Sequence, residues 1–139
     1  MISIIIPVYN EENTIKGCLE NIPFSNEIEV IVVDGESFDK TIEIASQYPV
    51  RVIKSIKNRA IQLNEGARQA KADKFLFLYA DCRLENGSLD TIEANLRNDY
   101  IGGCLSQRID SRKMVYRFIE ASGNIRAEFF SEFDLKPVA

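Results

Sequence analysis

The chain has 139 residues, 45% of them hydrophobic and 27% charged, which suits one soluble globular domain with its own core. Its formal net charge of -4 argues against a nucleic-acid partner, and no apolar run approaches the roughly 18 residues of a membrane span. Histidine is absent, so His-type zinc sites and Ser-His or Cys-His catalytic pairs are excluded.

Three widely spaced cysteines, Cys18, Cys82 and Cys104, read as reduced thiols of a cytosolic protein. No basic region precedes the first apolar run, so a signal peptide is not expected.

Residues Ile2 to Ile6 are rich in β-branched side chains, with Ile4, Ile5 and Ile6 continuously apolar, and the run stops at Pro7. A strand apolar on both faces belongs inside a sheet covered on both sides, and a proline that cannot donate to the ladder ends it. Ile15, Cys18, Leu19 and Ile22 then fall at helical spacing within Asn13 to Ile22, stopped by Pro23. Glu29 to Val33 is a second buried strand. Asp39 is suited to cap a helix from Lys40 to about Tyr48 with Ile42 and Ala45 inward. Val50 to Ile53 is a short third strand.

Arg59 to Ala70 reads as a helix with Ala60, Leu63, Ala67 and Ala70 on one stripe. Lys74 to Tyr79 reads as a fourth buried strand, with Phe75 and Phe77 in the core. Ser88 to about Arg97 is helical and buries Leu89, Ile92 and Leu96. Gly102 to Ile109 is a fifth strand or an irregular one. Met114 to Phe130 carries Val115, Phe118, Ile119, Ile125 and Phe129 at helical spacing. Alternating strands and helices imply an α/β fold, a doubly wound and mainly parallel sheet in three α/β/α layers. The expected organisation is an α/β core over 1–109 and a helical segment over 110–139 packed on it.

Three polar turns follow three buried strands: Tyr9 to Glu12, Asp34 to Asp39, and Asp81 to Arg83. In a parallel sheet these turns share one edge. With strand order 3-2-1-4, Asp34 and Asp81 converge at the crevice between the first and fourth strands. Converging carboxylates need a positive partner, such as a hard divalent cation or a ligand donor. Neither a G-x-G-x-x-G fingerprint nor a P-loop is present.

The segments PVYNEE, VVDGESFDKT and FLYADCRL, in this order, resemble family 2 glycosyltransferases of the GT-A fold. NRAIQLNEGARQAKADKFLFLYADCRL resembles the subgroup reading R-A-x-Q-x-N-x-G before the fourth strand and A-D-x-R-L after it. The chain looks like a short or truncated member. The resemblance implies an inverting, metal-dependent transfer of sugar from a nucleoside-diphosphate sugar to an unidentified acceptor. It assigns donor binding to Pro7, Val8, Tyr9, Glu11, Asp34, Arg59 and Arg83, with Gln62 and Asn64 in the same motif. Asp81 matches the metal-binding aspartate, with Mg2+ or Mn2+ as the cofactor.

Two departures stand out. Tyr79 occupies the first aspartate position of D-x-D, and no acid after Gly103 matches the family's catalytic base. The alternative reading is therefore a nucleotide-sugar-binding or assembly module without the acceptor half and the base. A cytoplasmic location is expected, with a homo-oligomer or a peripheral membrane contact through the C-terminal segment left open.

Overall fold

The computed structural model describes residues 1–96, 102–106, 108–110, 113, 116–117, 119–122 and 124–125. Two compact units are present, Met1–Glu85 and Asn86–Ala139. In the first, β1 (Ile2–Val8), α1 (Ile15–Leu19), β2 (Ile28–Asp34), α2 (Thr41–Ala45), β3 (Arg51–Lys54), α3 (Arg59–Gln69) and β4 (Phe75–Phe77) follow one another. The strands form one sheet in the order β3-β2-β1-β4, and each neighbouring pair is parallel.

β1 is buried along its whole length because it is an inner strand covered on both faces. Side chains alternate across a strand. Ile5, Ile31 and Val33 face α3 and pack with Ile53, Leu63, Ala67 and Ala70. Ile4, Ile6, Val30 and Val32 are equally buried and point to the other face. Right-handed crossovers require this division, since the chain reverses direction across the sheet after β3 and α3 must take the opposite face from α1 and α2. Burial of each such side chain contributes about 1.5–3 kcal/mol before chain entropy is subtracted.

Pro7 lies inside β1, not at its end, and the hydrogen-bond polarity explains how. Ser3 N donates to Lys74 O and Leu78 N to Ile5 O, so the odd-numbered residues of β1 present their backbone groups to β4. Ile2 N donates to Glu27 O and Val8 O accepts from Gly35 N, so the even-numbered residues serve β2. The missing N–H of Pro7 therefore faces β4, where pairing has already stopped at Ile5↔Phe77. Pairing with β2 runs on to Val8↔Asp34. The crevice between β1 and β4 opens where the chain has no donor to close it.

The opposite edge of the sheet is tied by Glu29. Its Oε2 accepts from Ser3 Oγ at 2.6 Å and Lys71 N at 2.8 Å, and Arg51 Nη2 stands 3.4 Å from its Oε1. Burial raises the Glu29 pKa, but these donors and the charges of Arg51 and Lys71 bring it below the usual carboxylate value.

Several expectations are corrected. α1 is shorter than expected, although Ile15, Cys18, Leu19 and Ile22 are all buried. In α3 the buried positions are Gln62 and Gly66, while Ala60 is exposed. β4 pairs over three residues only, and Phe75 and Phe77 are 41% and 48% exposed. As the outer strand of the sheet, β4 has a partner on one side only among the described residues. Sequence pattern alone cannot tell such a strand from an inner one.

In the second unit, α4 spans Ser88–Leu96 after Gly87 at φ 82°. Leu89, Ile92 and Leu96 share its half-buried face, and none is fully buried. The described residues of 102–109 form no strand. Tyr116, Arg117, Ile119–Ser122, Asn124 and Ile125 are helical, while Val115, Phe118 and Phe129 lie outside the described residues. No helix among the described residues is long and apolar enough to cross a membrane.

Candidate functional site

The turns after β1 and β2 are stitched together through their backbones. Asn10 N donates to Ser37 Oγ at 3.0 Å, and Phe38 N donates back to Asn10 Oδ1 at 3.0 Å. Glu11 N donates to Thr41 Oγ1 at 2.7 Å, and Glu12 N to Asp39 Oδ2 at 3.1 Å. Lys40 N returns a bond to Glu12 Oε2 at 3.1 Å. Asn10 takes a left-handed conformation, φ 54°, that asparagine tolerates better than most residues. Short polar side chains thus satisfy backbone groups that no strand or helix serves.

Asp39 holds the start of α2, accepting from Thr41 N at 3.0 Å and Thr41 Oγ1 at 2.5 Å. Partial burial raises its pKa, but these donors and Glu12 N hold it below the usual value. The expected cap is thus displaced: Lys40 is the N-cap of α2 and makes no side-chain capping bond, while Asp39, one residue earlier, binds Thr41 from the preceding turn.

Asp34 closes β2 and is 5% exposed. Its Oδ1 accepts from Ser37 N at 3.0 Å, and its Oδ2 has no hydrogen-bond partner among the described residues. Gln62, reaching in from α3, sits beneath it. Gln62 Nε2 donates to Val8 O at 2.9 Å and to Val33 O at 2.8 Å. One amide therefore bridges the ends of β1 and β2. Gly35 must be small, since a Cβ there would lie 3.0 Å from Gln62 Nε2 and 3.2 Å from Lys57 Cα.

Lys57 and Arg59, on either side of the Asn58 cap of α3, each rest on a tyrosine ring. Lys57 Nζ is 3.6 Å from the centroid of Tyr9, and Arg59 Cζ is 4.7 Å from that of Tyr79. Tyr9 also meets Phe38 edge to face at 6.2 Å.

Asp81 and Arg83 lie elsewhere on the same edge. They border a groove of about 410 Å³ with Asn13, Thr14, Lys16 and Gly17. The Arg83 guanidinium lies across Gly17, where a Cβ would stand 3.1 Å from its Nη2. Cys82 Sγ donates to Asp81 Oδ1 at 3.6 Å. Burial, then the charge of Asp81, pushes the Cys82 thiol up. Burial, with Cys82 and Asp81 adding to it, pushes the Cys18 thiol up to about 12.

The sequence-derived residues thus divide. Pro7, Val8, Tyr9 and Asp34 gather around the ends of β1 and β2, Arg59 rests on Tyr79 past β4, and Asp81 and Arg83 gather at the groove beside α1. The carboxylate of Glu11 turns back to accept from Thr14 Oγ1 at 2.7 Å, and Asn64 is exposed on α3. Among the described residues no three Cys, Asp or Glu side chains gather as a metal site. A hard cation bound through one or two carboxylates plus ligand phosphates asks for less than that, and Asp81 is the carboxylate that the motif offers for it. Cys82 is too soft a ligand to add to it.

Sequence reading gave no role to Lys57 and no geometry to Gln62. Gln62 carried a signal in its motif, and Lys57 carried none beyond standing two residues before Arg59.

The family profile of glycosyl transferase family 2 matches residues 3–137. Dolichol-phosphate mannosyltransferase of Pyrococcus furiosus is 33% identical over 89 residues, 58% of this chain and 25% of that protein. The crystal structure of S. aureus TarS 1-349 in complex with UDP-GlcNAc superposes with a TM-score of 0.64 at 24% identity, covering 79% of this chain and 37% of that one. Glucosyl-3-phosphoglycerate synthase from Mycobacterium tuberculosis, solved with Mn2+, UDP and glucosyl-3-phosphoglycerate, gives 0.62 at 23% identity, covering 69% and 39%. The chain spans between a quarter and two fifths of the length of these proteins, and the two structural likenesses are likenesses of fold. With a profile match over nearly its whole length and the β3-β2-β1-β4 sheet beneath it, the chain belongs to glycosyl transferase family 2.

Proposed function

We propose that this chain binds a nucleoside-diphosphate sugar and forms the donor side of a glycosyltransferase acting with inversion on an acceptor hydroxyl. The observation that carries this reading is Asp34, held at the end of β2 by Ser37 and backed by the Gln62 bridge, with an Oδ2 that has no hydrogen-bond partner among the described residues. A carboxylate fixed in this way accepts from a base imide or a ribose hydroxyl. The ligands of the solved relatives, UDP-GlcNAc in one and UDP with Mn2+ in the other, support the same chemistry.

In this reading the Pro7–Tyr9 backbone and the Tyr9 ring flank the nucleoside, and Glu11 shapes the turn. Arg59 and Arg83 attract the diphosphate, and Asp81 holds the cation. Mg2+ or Mn2+ bound there would neutralise charge on the leaving diphosphate. In the same reading residues 1–109 are the donor-binding core. The acceptor is unidentified, and a cytoplasmic setting accords with the reduced cysteines.

Calorimetry with UDP and GDP, with and without Mn2+, tests this on the native chain and Asp81→Ala. Nucleotide binding that Mn2+ strengthens in the native chain but not in the variant is expected. Equal Mn2+ dependence in both would remove Asp81 from the metal role. A second reading, a donor-binding or assembly module without turnover, is favoured by Tyr79 at the first position of D-x-D. Donor hydrolysis or transfer by the purified chain would decide against it.

A further inference from the structure

The cations of the β3–α3 segment are held in an unusual way. Lys57 and Arg59 are exposed, and among the described residues neither has a carboxylate partner. Each sits on a neutral aromatic face, Lys57 on Tyr9 and Arg59 on Tyr79. A ring quadrupole orients a cation without cancelling its charge. A carboxylate at position 79 would have paired with the guanidinium and neutralised it; the tyrosine leaves it positive.

The two rings flank the strand switch. Tyr9 directly follows β1, and Tyr79 lies two residues past β4. Continuing the register Ile5↔Phe77 would set Tyr79 opposite Pro7, where the strands part. Two uncancelled positive charges from one short segment are therefore parked on the two lips of the crevice. Asn58 fixes that segment, its Oδ1 accepting from Ile61 N at 3.2 Å. Gly35, packed against Lys57 Cα, fixes it from the β2 side.

We infer that Lys57 and Arg59 form a two-cation clamp for the diphosphate of the donor, so that a substantial part of diphosphate affinity is independent of metal. The inference rests on the donor-binding reading above and adds to it. Lys57 becomes a binding residue, and the clamp supplies charge that Asp81 alone would leave to the cation. Tyr9 and Tyr79 act as positioning residues, preorganising the cations at little desolvation cost.

The test is calorimetry on the native chain, Lys57→Gln, Arg59→Gln and Asp34→Ala, with UDP, GDP, uridine, guanosine and inorganic pyrophosphate as probes. Each probe is run in EDTA and in Mn2+, at two salt concentrations. Expected in EDTA are salt-sensitive binding of the preferred nucleoside diphosphate and of pyrophosphate, and a loss of about tenfold for each Gln variant. Nucleoside affinity should be unchanged in the Gln variants and reduced in Asp34→Ala. Diphosphate binding seen only with Mn2+, or undiminished in Lys57→Gln, overturns the clamp while the donor reading stands. Absence of binding by both nucleoside diphosphates in both conditions overturns the two together. An equal loss for nucleoside and nucleoside diphosphate in Lys57→Gln would make Lys57 a base contact and overturn the clamp as well.

Discussion

Gly66 of α3 lies directly against Ile5 of β1, so close that any side chain at that position would collide with Ile5 Cγ2 and stand 3.1 Å from Val33 Cγ2. Two effects of Gly66→Ala therefore oppose each other. Helix propensity favours alanine by about 1 kcal/mol, whereas overpacking a filled core costs about 1–3 kcal/mol. Both neighbours are buried β-branched side chains with little freedom to yield. The variant should be destabilised despite its better helix former, and a lower urea midpoint at an unchanged slope would show it.

Gln62 gives a second prediction. Gln62→Ala strips one donor from Val8 O and Val33 O at a buried position and should cost about 1–3 kcal/mol. Gln62→Glu should be worse at neutral pH, because a carboxylate would face two carbonyl oxygens. Protonation restores one donor, so the deficit of Gln62→Glu relative to the native chain should shrink from pH 7 to pH 4. A deficit independent of pH would mean that the side chain had swung out.

Asp34→Ala should leave the fold intact and weaken nucleoside binding by about tenfold, the scale of a charge-assisted hydrogen bond. The lost Ser37 contact is at a turn and local. Unchanged affinity by calorimetry, with a native circular dichroism spectrum, would make Asp34 a turn-former only.

Acid sensitivity follows from Glu29. Its folded pKa is lowered, so the native state binds fewer protons there than the unfolded chain. The resulting stability is fully present above the usual carboxylate value of about 4.3 and is lost as pH falls through the lower folded value. Glu29→Gln should flatten the stability profile below about pH 4. Urea midpoints at pH 7 and pH 3 measure this, and parallel profiles for variant and native chain would locate the acid sensitivity elsewhere.

The three thiols should separate by reactivity. Cys104 is exposed, Cys82 is half-buried with its pKa raised, and Cys18 is buried with its pKa pushed up to about 12. Only thiolate reacts, so alkylation at neutral pH should modify Cys104 first and Cys18 only on unfolding. Mass spectrometry after brief iodoacetamide treatment would show the order, and early labelling of Cys18 would contradict its placement.

Much of the fold was legible because its strongest signals are local. The unbroken apolar run of β1 and the alternation of strands and helices require a parallel sheet. The order β3-β2-β1-β4 then places Asp34 and the turn leading to Asp81 on a common edge. The exposure of Phe75 and Phe77 was not legible, because a phenylalanine on an outer strand reads the same as one on an inner strand. Nor was the pairing of Lys57 with Tyr9, which depends on how β3 hands the chain to α3. Gln62 is a motif letter in the sequence, and its span across two strand ends exists only in the folded chain.

The proline at position 7 has one more consequence. A seam between two strands can normally lengthen by one rung when its ends fluctuate together, and a cleft formed that way can heal shut. Here the next rung lacks a hydrogen to share, so the aperture is set by covalent structure and not by side-chain contacts.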